Sequence, residues 1–299
     1  ELDLAQSSRH GELIDTYRGR LILPVRSDGS HIEGFIGRDT TGDPSAPKYR
    51  NPTRTPTYDK STALSRPHHH NLDGNANVVV VEGALDALGI AAAAALGGAH
   101  SMFAPVTTSG VTVSGVQADA VLALHPKPPV IALDGDAAGR AGADRWLRAL
   151  CMERGRPALL TLLPEGVDPA EWLQHQGIPG LRAFDRRGYA GPIADAPRPA
   201  LPGRELVRIC TAQPGEPVRK VLDMLATLAL QLSERATAQL LDQAEHEMTA
   251  RAGDQRTDFA PSARPALGRA RRQAPAETGR PALARRDAPT EATPSPGPP

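Results

Sequence analysis

Acidic residues follow two short apolar runs, and these are the positions in the chain where chemistry is most expected. Glu82 follows residues 78–81, whereas Asp134 and Asp136 follow residues 130–133. Apolar, β-branched runs of this length are typical of strands buried on both faces of a parallel sheet. Because ligands bind at the carboxyl ends of such strands, the three carboxylates are predicted to meet at one edge. Clustered carboxylates repel one another unless a cation lies between them, and hard oxygen ligands suit Mg²⁺ or Mn²⁺.

The elements that must position these acids alternate between strand and helix from residue 77 onward, which predicts an α/β domain. The predicted strands cover residues 78–81, 101–106, 130–133 and 158–163, and the predicted helices cover 85–96, 116–124, 138–153 and 170–176. Ahead of this domain, residues 21–25 and 32–36 predict a β-hairpin around a turn at 27–30. Residues 1–16 are predicted to be helical or irregular.

The two acidic segments are more specific together than either is alone. A single acid after a buried strand is common in α/β proteins, often as a helix cap or a ribose ligand. Here the chain reads V-E-G-x-x-D-A-L from Val81 and L-D-x-D-x-A-G-R-A from Leu133. This pair of segments resembles the Toprim domain that bacterial primases, topoisomerases and some nucleases share.

A succession of basic segments precedes the Toprim-like region. They read R-G-R, G-F-I-G-R, P-K-Y-x-N and Y-D-K, in that order. Scattered Arg and Lys residues alone normally indicate a solvated face. In this order, and directly before a Toprim-like segment, they resemble the catalytic core of DnaG-type bacterial primases over about residues 14–177.

This resemblance implies a primase that synthesises short RNA primers on a single-stranded DNA template by metal-dependent nucleotidyl transfer, with a replicative helicase as a further partner. It implies Glu82, Asp134 and Asp136 as catalytic residues. Together with Asp86 and Asp168, they would hold the Mg²⁺ or Mn²⁺ ions. The residues that it implies for binding ribonucleoside triphosphate and template phosphates are Arg38, Lys48 and Lys60, with Arg18, Arg20 and Asn51 as additions.

The sequence departs from the family pattern after the fourth predicted strand. DnaG-type primases carry a Gly-Glu-Asp-Pro-Asp-like sequence there, and its acids join the metal site. In this chain the match supplies Asp168, whereas Val167 and Ala170 stand in place of acids. The family also has an N-terminal zinc ribbon, but the two cysteines here form no C-x-x-C pair. The chain begins without methionine and is expected to be a fragment.

Composition narrows the classes of partner. The net charge is zero, so contacts with nucleic acid are expected from local basic patches rather than from a global field. Aromatic residues make up only 3%, which argues against stacking platforms as the main mode of binding single strands. No signal peptide or membrane span is evident, and the cysteine usage favours a cytoplasmic location.

The fold class predicted for the whole chain is α/β. An α+β primase subdomain precedes the Toprim domain, whose parallel sheet has flanking helices, and a small helical segment and a disordered tail follow. The three adjacent histidines at 68–70 are predicted to be an exposed linker. The predicted domains are a basic N-terminal subdomain at 1–70, the Toprim domain at 71–180, a linker at 181–202, a helical segment at 203–250 and the tail at 251–299.

Two other functions stay open at this stage. A Toprim enzyme that cleaves strands, a nuclease or a topoisomerase-like protein, would leave a nicked or covalently bound DNA, and a topoisomerase needs an attacking tyrosine. The chain has four candidate tyrosines for that attack: Tyr17, Tyr49, Tyr58 and Tyr189.

The thin acidic loop at Asp168 and the missing zinc ribbon favour a third function. In this case the chain is a non-catalytic DNA-binding protein that serves replication or transfer of a mobile element.

Overall fold

The computed structural model describes residues 4–26, 31–67, 72–108, 110, 112–187, 197–211 and 218–252. Three features predicted from the sequence lie outside these ranges: the turn at 27–30, the histidines at 68–70, and the tail from residue 253 onward.

Two small antiparallel sheets build the N-terminal region. The first pairs β1 (Ala5–Ser7) with β2 (Leu13–Asp15), and the second has β3 (Arg20–Val25), β4 (Gly34–Asp39) and β5 (Tyr49–Arg50) in the order β3-β4-β5. Strands β3 and β4 confirm the predicted hairpin. The prediction that residues 1–16 are helical or irregular is wrong at β1 and β2. Each of these strands has only three residues, too few for an alternating pattern to be visible in the sequence.

A four-stranded parallel sheet with helices on both faces follows, as predicted. Its strands are β6 (Asn77–Val81), β7 (Phe103–Thr107), β8 (Val130–Ile131) and β9 (Leu159–Leu160), in the order β7-β6-β8-β9. The regular parts of β8 and β9 are shorter than predicted, although pairing continues through the Ala132 and Thr161 N–H groups. The helices are α1 (Ala84–Leu96), α2 (Gly115–Leu124), α3 (Ala137–Leu147), which continues as a π-helical turn over Arg148–Met152, and α4 (Pro169–Gln176).

Side chains that alternate along β6 enter two separate apolar cores. Val78 and Val80 pack with α2 and α3 on one face, whereas Val79 and Val81 pack with α1 and α4 on the other. All five residues of β6 are buried. Burial on both faces explains why the strand has a continuous apolar run rather than an alternating pattern.

Three further helices extend the first of these cores. They are α5 (Gly203–Cys210), α6 (Val218–Ala229) and α7 (Glu234–Ala252), and each follows a helical apolar spacing that is visible in the sequence. Leu206, Leu225 and Leu240 from these helices belong to the same apolar cluster as α2 and α3. The helices therefore complete the core of the domain. Within the described ranges, no helix is long and apolar enough to cross a membrane.

The region predicted as a linker, 181–202, is in part built into the domain. A 3₁₀ helix covers Ile178–Phe184 and buries Leu181 and Phe184. Ala200 then pairs antiparallel with Leu160 at the edge of the sheet. The high Arg, Gly and Pro content of the region obscured its few large apolar side chains, and burial of these residues fixes the chain. Residues 188–196 lie outside the described ranges.

Candidate active site

Five carboxylates lie around the carboxyl ends of the parallel strands. Strands β6 and β8 are parallel neighbours with Val80 opposite Ile131, so the residues after each strand emerge at the same end of the sheet. The carboxylates are close enough for their charges to affect one another's pKa values. We call this group the acidic edge, and it consists of Glu82, Asp86, Asp134, Asp136 and Asp168.

Two glycines let the Asp134 loop approach the neighbouring backbone. A Cβ atom on Gly135 would lie 1.9 Å from the carbonyl oxygen of Pro164, and one on Gly139 would lie 2.1 Å from the carbonyl oxygen of Asp134. The Gly135 N–H donates to the carbonyl oxygen of Val167 at 2.9 Å. Gly135 thus lets the Asp134 loop lie against the loop after β9, and Gly139 lets the start of α3 lie against the backbone of Asp134.

Asp136 and Asp168 each cap a helix with one carboxylate oxygen. The Gly139 N–H in the first turn of α3 donates to Asp136 Oδ1 at 2.7 Å. The Glu171 N–H in the first turn of α4 donates to Asp168 Oδ1 at 2.7 Å. Such caps satisfy backbone donors that the first helical turn leaves free, and the helix dipole favours negative charge there. The second oxygen of each carboxylate takes no part in the cap, so each residue can serve a helix and a ligand together.

Asp86 is the most buried member of the acidic edge, with 7% of its surface exposed. Its Oδ2 accepts a hydrogen bond from the Gly83 N–H at 3.0 Å, and its Oδ1 accepts one from the Ala170 N–H at 3.3 Å. Burial raises the pKa of Asp86 to about 6, and the charge of Asp168 adds to the shift. Asp86 therefore joins the start of α1 to the start of α4.

Asp134 lies among the other carboxylates and is electrostatically the least satisfied of them. Burial is the main cause that raises the pKa of Asp134 to about 7, and the charges of Asp86, Glu82, Asp168 and Asp136 add to it. Its Oδ1 atom is buried and has no hydrogen-bond partner in the part of the chain that the structure describes. A buried, unpaired acceptor beside other negative charges is costly, and a bound cation would satisfy it.

Glu82 has two neighbours for which sequence reasoning gave no role. Burial and the charge of Asp136 raise the pKa of Glu82, whereas the positive charge of Arg145 on α3 opposes that shift. The Thr107 hydroxyl at the end of β7 donates to the carbonyl oxygen of Glu82 at 2.6 Å and so holds the turn after β6. The sequence predicted a helix over the position of Arg145 and the end of a strand just before Thr107, but both contacts depend on the order of strands in the sheet.

The chemistry of the acidic edge fits a divalent cation. All five side chains are carboxylates, the hard oxygen ligands that Mg²⁺ and Mn²⁺ prefer. Within the described residues, no three His, Cys, Asp or Glu side chains form a ready-made cage around one point. The unpaired Oδ1 of Asp134 and the repulsion that raises its pKa are the features that a cation would relieve.

The cation-free protein is expected to lose stability at the acidic edge as the pH rises from about 4 to about 7. Asp86 and Asp134 hold their protons more tightly when folded than when unfolded, because their pKa values are raised. Ionisation therefore favours the unfolded chain in this window. The measurement is the free energy of unfolding by denaturant across this pH range, with a chelator present.

The Asp134→Asn variant shows how much of that pH dependence of stability comes from Asp134. His125 contributes a slope of opposite sign, because burial lowers its pKa, and this contribution is common to both proteins. The advantage of the variant over the wild type should grow as the pH rises and level off above about pH 7. A difference that stayed constant with pH would contradict the raised pKa of Asp134.

A cavity of about 140 Å³ separates the acidic edge from the N-terminal region. The guanidinium of Arg38 lies over the ring of Tyr49, 4.7 Å from its centroid, beside this cavity. Burial raises the pKa of Tyr49, while the charge of Arg38 lowers it and those of Asp86 and Asp168 raise it further. An aromatic ring, a cation and an acidic surface thus converge. The cavity is lined by Ile36, Tyr49, Asn51, Glu82, Gly83, Ala84 and Gly110.

The structure brings three of the six predicted basic or polar residues to this cavity. Arg38 and Asn51 lie beside it, and the ammonium of Lys60 lies across Gly110, 2.9 Å from where a Cβ on that glycine would be. Arg20 instead donates to the carbonyl oxygens of Pro47 at 2.8 Å and Gly37 at 3.3 Å, so it braces the β3–β4 hairpin. The other two, Arg18 and Lys48, have exposed side chains.

Two family models match the two parts of the chain that line the cavity. The family model of the DNA primase catalytic core, N-terminal domain, matches residues 1–70, and the Toprim-like model matches residues 79–173. The two matches adjoin in the same order as the two halves that line the cavity. The chain carries the two domains of a DnaG-type primase catalytic core.

Curated relatives agree with this assignment. The DNA primase of Pseudomonas putida is 30% identical over 199 residues, a stretch that covers 64% of this chain and 28% of that protein. The DNA primase of Legionella pneumophila is 31% identical over 181 residues, covering 58% of this chain and 29% of that protein. The chain therefore spans less than a third of the length of these relatives.

Solved structures show the same fold. The zinc-binding and RNA polymerase domains of the Aquifex aeolicus primase give a TM-score of 0.57 at 21% identity, with 83% of this chain and 56% of that chain covered. A DnaG primase catalytic domain bound to single-stranded DNA gives a TM-score of 0.58 at 20% identity, with 82% of this chain and 75% of that chain covered. The chain thus shares the fold of these structures well beyond the segments that match by sequence.

Proposed function

We propose that this chain is the catalytic core of a primase that synthesises short RNA primers on single-stranded DNA. The observation that carries the proposal is the buried, unpaired Oδ1 of Asp134 at the acidic edge, whose member Glu82 lines a cavity with Arg38 and Lys60 beside it. The proposed partners are ribonucleoside triphosphates, the DNA template and a replicative helicase. The proposed location is the cytoplasm.

The proposed reaction joins two nucleotides. A 3′-hydroxyl attacks the α-phosphate of the incoming ribonucleoside triphosphate, a phosphodiester bond forms, and pyrophosphate leaves. When bound at the acidic edge, Mg²⁺ or Mn²⁺ would lower the cost of the charge that develops on the attacking and leaving oxygens.

The residues of this chain have separate tasks in that reaction. Glu82, the first residue after β6, is assigned as a ligand or as the proton acceptor near the nucleophile. Asp134 and Asp136 are assigned as ligands, with Asp86 and Asp168 as outer members of the set. The phosphates of the triphosphate and the template are assigned to Arg38, Lys48 and Lys60, with Arg18, Arg20 and Asn51 as additions. Arg20 also supports the hairpin, because its Nη1 donates to backbone carbonyl oxygens.

The tyrosines favour polymerisation over strand cleavage through a tyrosyl adduct. Tyr17 and Tyr58 each have 2% of their surface exposed, and the Tyr17 hydroxyl donates to the carbonyl oxygen of Phe35 at 2.7 Å. Tyr49 lies near the acidic edge, but burial raises its pKa and so makes it a poorer nucleophile. Tyr189 lies outside the described residues.

Primer synthesis on single-stranded DNA tests the proposal. The chain is incubated with template, labelled ribonucleotides and Mg²⁺ or Mn²⁺, beside an Asp134→Ala variant. Short RNA products from the wild type alone are the expected result. Nicked or covalently bound DNA would instead support the strand-cleaving enzyme, and DNA binding without any product would support the non-catalytic binding protein.

Arg38→Ala is expected to weaken binding of a ribonucleoside triphosphate about tenfold, because it removes a charge-assisted contact to phosphate. The loss should shrink as salt is added, since screening weakens the contact in the wild type. Titration calorimetry with a non-hydrolysable triphosphate measures both. Arg54→Ala is the matched control, because Arg54 is an arginine of the same region whose guanidinium is paired with Asp59 at 3.0 Å. Equal losses in the two variants would count against a phosphate role for Arg38.

A further inference from the structure

A short segment that carries Lys60 is fastened to the Toprim-like half of the molecule. This segment, residues 60–66, follows the last of the basic motifs and precedes the parallel sheet, and we call it the strap. It is held along its length by the start of α2 and by the end of β7. The residues that hold it are Gln117, Ser114 and Thr107.

Gln117 makes the central contacts with the strap. The side chain has 2% of its surface exposed, and its Nε2 donates to the carbonyl oxygens of Lys60 and Ala63, each at 2.9 Å. Its Oε1 accepts a hydrogen bond from the Ser114 N–H at 3.0 Å. The amide therefore has partners for both donor hydrogens and for its acceptor, so a single orientation of the side chain is fixed.

The side-chain amide of Gln117 makes more hydrogen bonds than a helix cap requires. In a capping box, the side chain at the third helical position reaches back to the N–H of the cap residue, and Ser114 and Gln117 have that arrangement at the start of α2. A glutamate or a glutamine can make this contact with an oxygen. The two bonds from Nε2 go instead to the strap, 57 and 54 residues earlier in the chain.

Two further contacts fasten the strap, one at Ser61 and one at Ser65. The Ser114 hydroxyl donates to the carbonyl oxygen of Ser61 at 2.5 Å. Ser65 and Thr107 exchange two backbone hydrogen bonds, at 2.8 and 3.0 Å. Because the Thr107 hydroxyl also bonds the carbonyl oxygen of Glu82, a continuous set of hydrogen bonds links the backbone of the strap to the turn that carries Glu82.

We propose that Gln117 is a positioning residue that holds Lys60 against the cavity at the acidic edge. The inference rests on the proposed function in one respect, the binding of triphosphate by Lys60. Without the amide, the carbonyl oxygens of Lys60 and Ala63 lose their buried donor, and the strap is released from α2 at the point where the lysine leaves it. The ammonium would then be less often in the place where a phosphate is bound.

A double-mutant cycle on triphosphate binding tests the inference. Gln117→Met keeps the length of the side chain but removes the donors, and Lys60→Ala removes the ammonium. Each single variant is expected to bind a non-hydrolysable ribonucleoside triphosphate about tenfold more weakly. The double variant should bind no more weakly than Lys60→Ala alone, because Gln117 acts through Lys60. Additive losses, or normal binding by either single variant, would overturn the inference.

Amide hydrogen exchange of the ligand-free protein provides the second measurement. The Ser65 N–H, which donates to the carbonyl oxygen of Thr107, should exchange faster in Gln117→Met, whereas amides of β6 should be unchanged. Gln231→Met is the matched control, because Gln231 Nε2 also donates to a distant carbonyl oxygen, that of Gly155, away from the strap. Unchanged exchange in the strap would overturn the inference even if binding fell.

Failure of the inference can be told apart from failure of the proposed function. A wild-type chain that makes primers while Gln117→Met binds triphosphate normally keeps the function and rejects the role of Gln117. A wild-type chain that makes no primers but shows the coupled losses keeps the role of Gln117 and rejects RNA synthesis. If the wild type binds no triphosphate, both the function and the inference are rejected.

Discussion

Asp134→Asn is expected to lower the rate of RNA synthesis by about 10³-fold or more, because it removes the central charge of the acidic edge. The fold should be retained, since the Oδ1 of Asp134 makes no hydrogen bond in the described part of the chain and an amide has the same shape. The variant should even gain about 1–2 kcal/mol of stability at pH 8 without divalent cations, as the raised pKa of Asp134 reflects burial and repulsion that the neutral amide avoids.

Rates of primer synthesis and the free energy of unfolding, measured on the same preparations, check both effects. Asp119→Asn is the control, because that carboxylate is 68% exposed and pairs with Arg154 away from the acidic edge. It should synthesise primers at the wild-type rate. If Asp134→Asn polymerised normally, Asp134 would not belong to the site. If the variant were inactive because it was unfolded, the fall in rate would reflect loss of the fold rather than loss of a charge at the acidic edge.

Gly135→Ala is expected to destabilise the protein by more than about 3 kcal/mol or to prevent folding. The new Cβ would lie 1.9 Å from the Pro164 carbonyl oxygen, and the three atoms nearest to it would all be backbone atoms, which cannot move away as the end of a side chain could. The Asp134 loop and the loop after β9 would have to separate, and the bond from the Gly135 N–H to Val167 would break. Thermal and denaturant unfolding measure the loss.

Gly74→Ala is the matched control for that substitution. A Cβ on Gly74 would meet no atom within 4 Å, so the change should cost little. Gly139→Ala should behave like Gly135→Ala, because its Cβ would lie 2.1 Å from the Asp134 carbonyl oxygen. If Gly135→Ala were as stable as Gly74→Ala, the close approach of the two loops would be wrong, and with it the position assigned to Asp168.

The acidic edge could be predicted from the sequence because its signals are local. The run at 78–81 is apolar without interruption and ends at an acid, and a strand buried on both faces requires that pattern. The run at 130–133 repeats it, and the rule for the carboxyl ends of parallel strands then places Glu82 and Asp134 together. Asp168 entered only through resemblance to a family, because no short spacing connects it to the other acids.

The parts that sequence reasoning missed depend on contacts between distant residues. Nothing around Gln117 indicates that its amide would bind carbonyl oxygens more than 50 residues earlier, because a capping box already accounts for a glutamine at that position. Nothing around Arg20 indicates that its Nη1 would donate to the carbonyl oxygens of Gly37 and Pro47, which the folding of the hairpin brings to it. Its predicted contact with phosphate stays a prediction.

The helix caps at Asp136 and Asp168 have a consequence for how this family can diverge. Asparagine and serine cap helices about as well as aspartate does, so either position can lose its charge without loss of α3 or α4. On the ligand roles proposed for these two residues, a single substitution would abolish the chemistry in a descendant that still folds and still presents Arg38 and Lys60. An intact fold is therefore a poor indicator of activity among distant relatives, and the identity of these two residues is a better one.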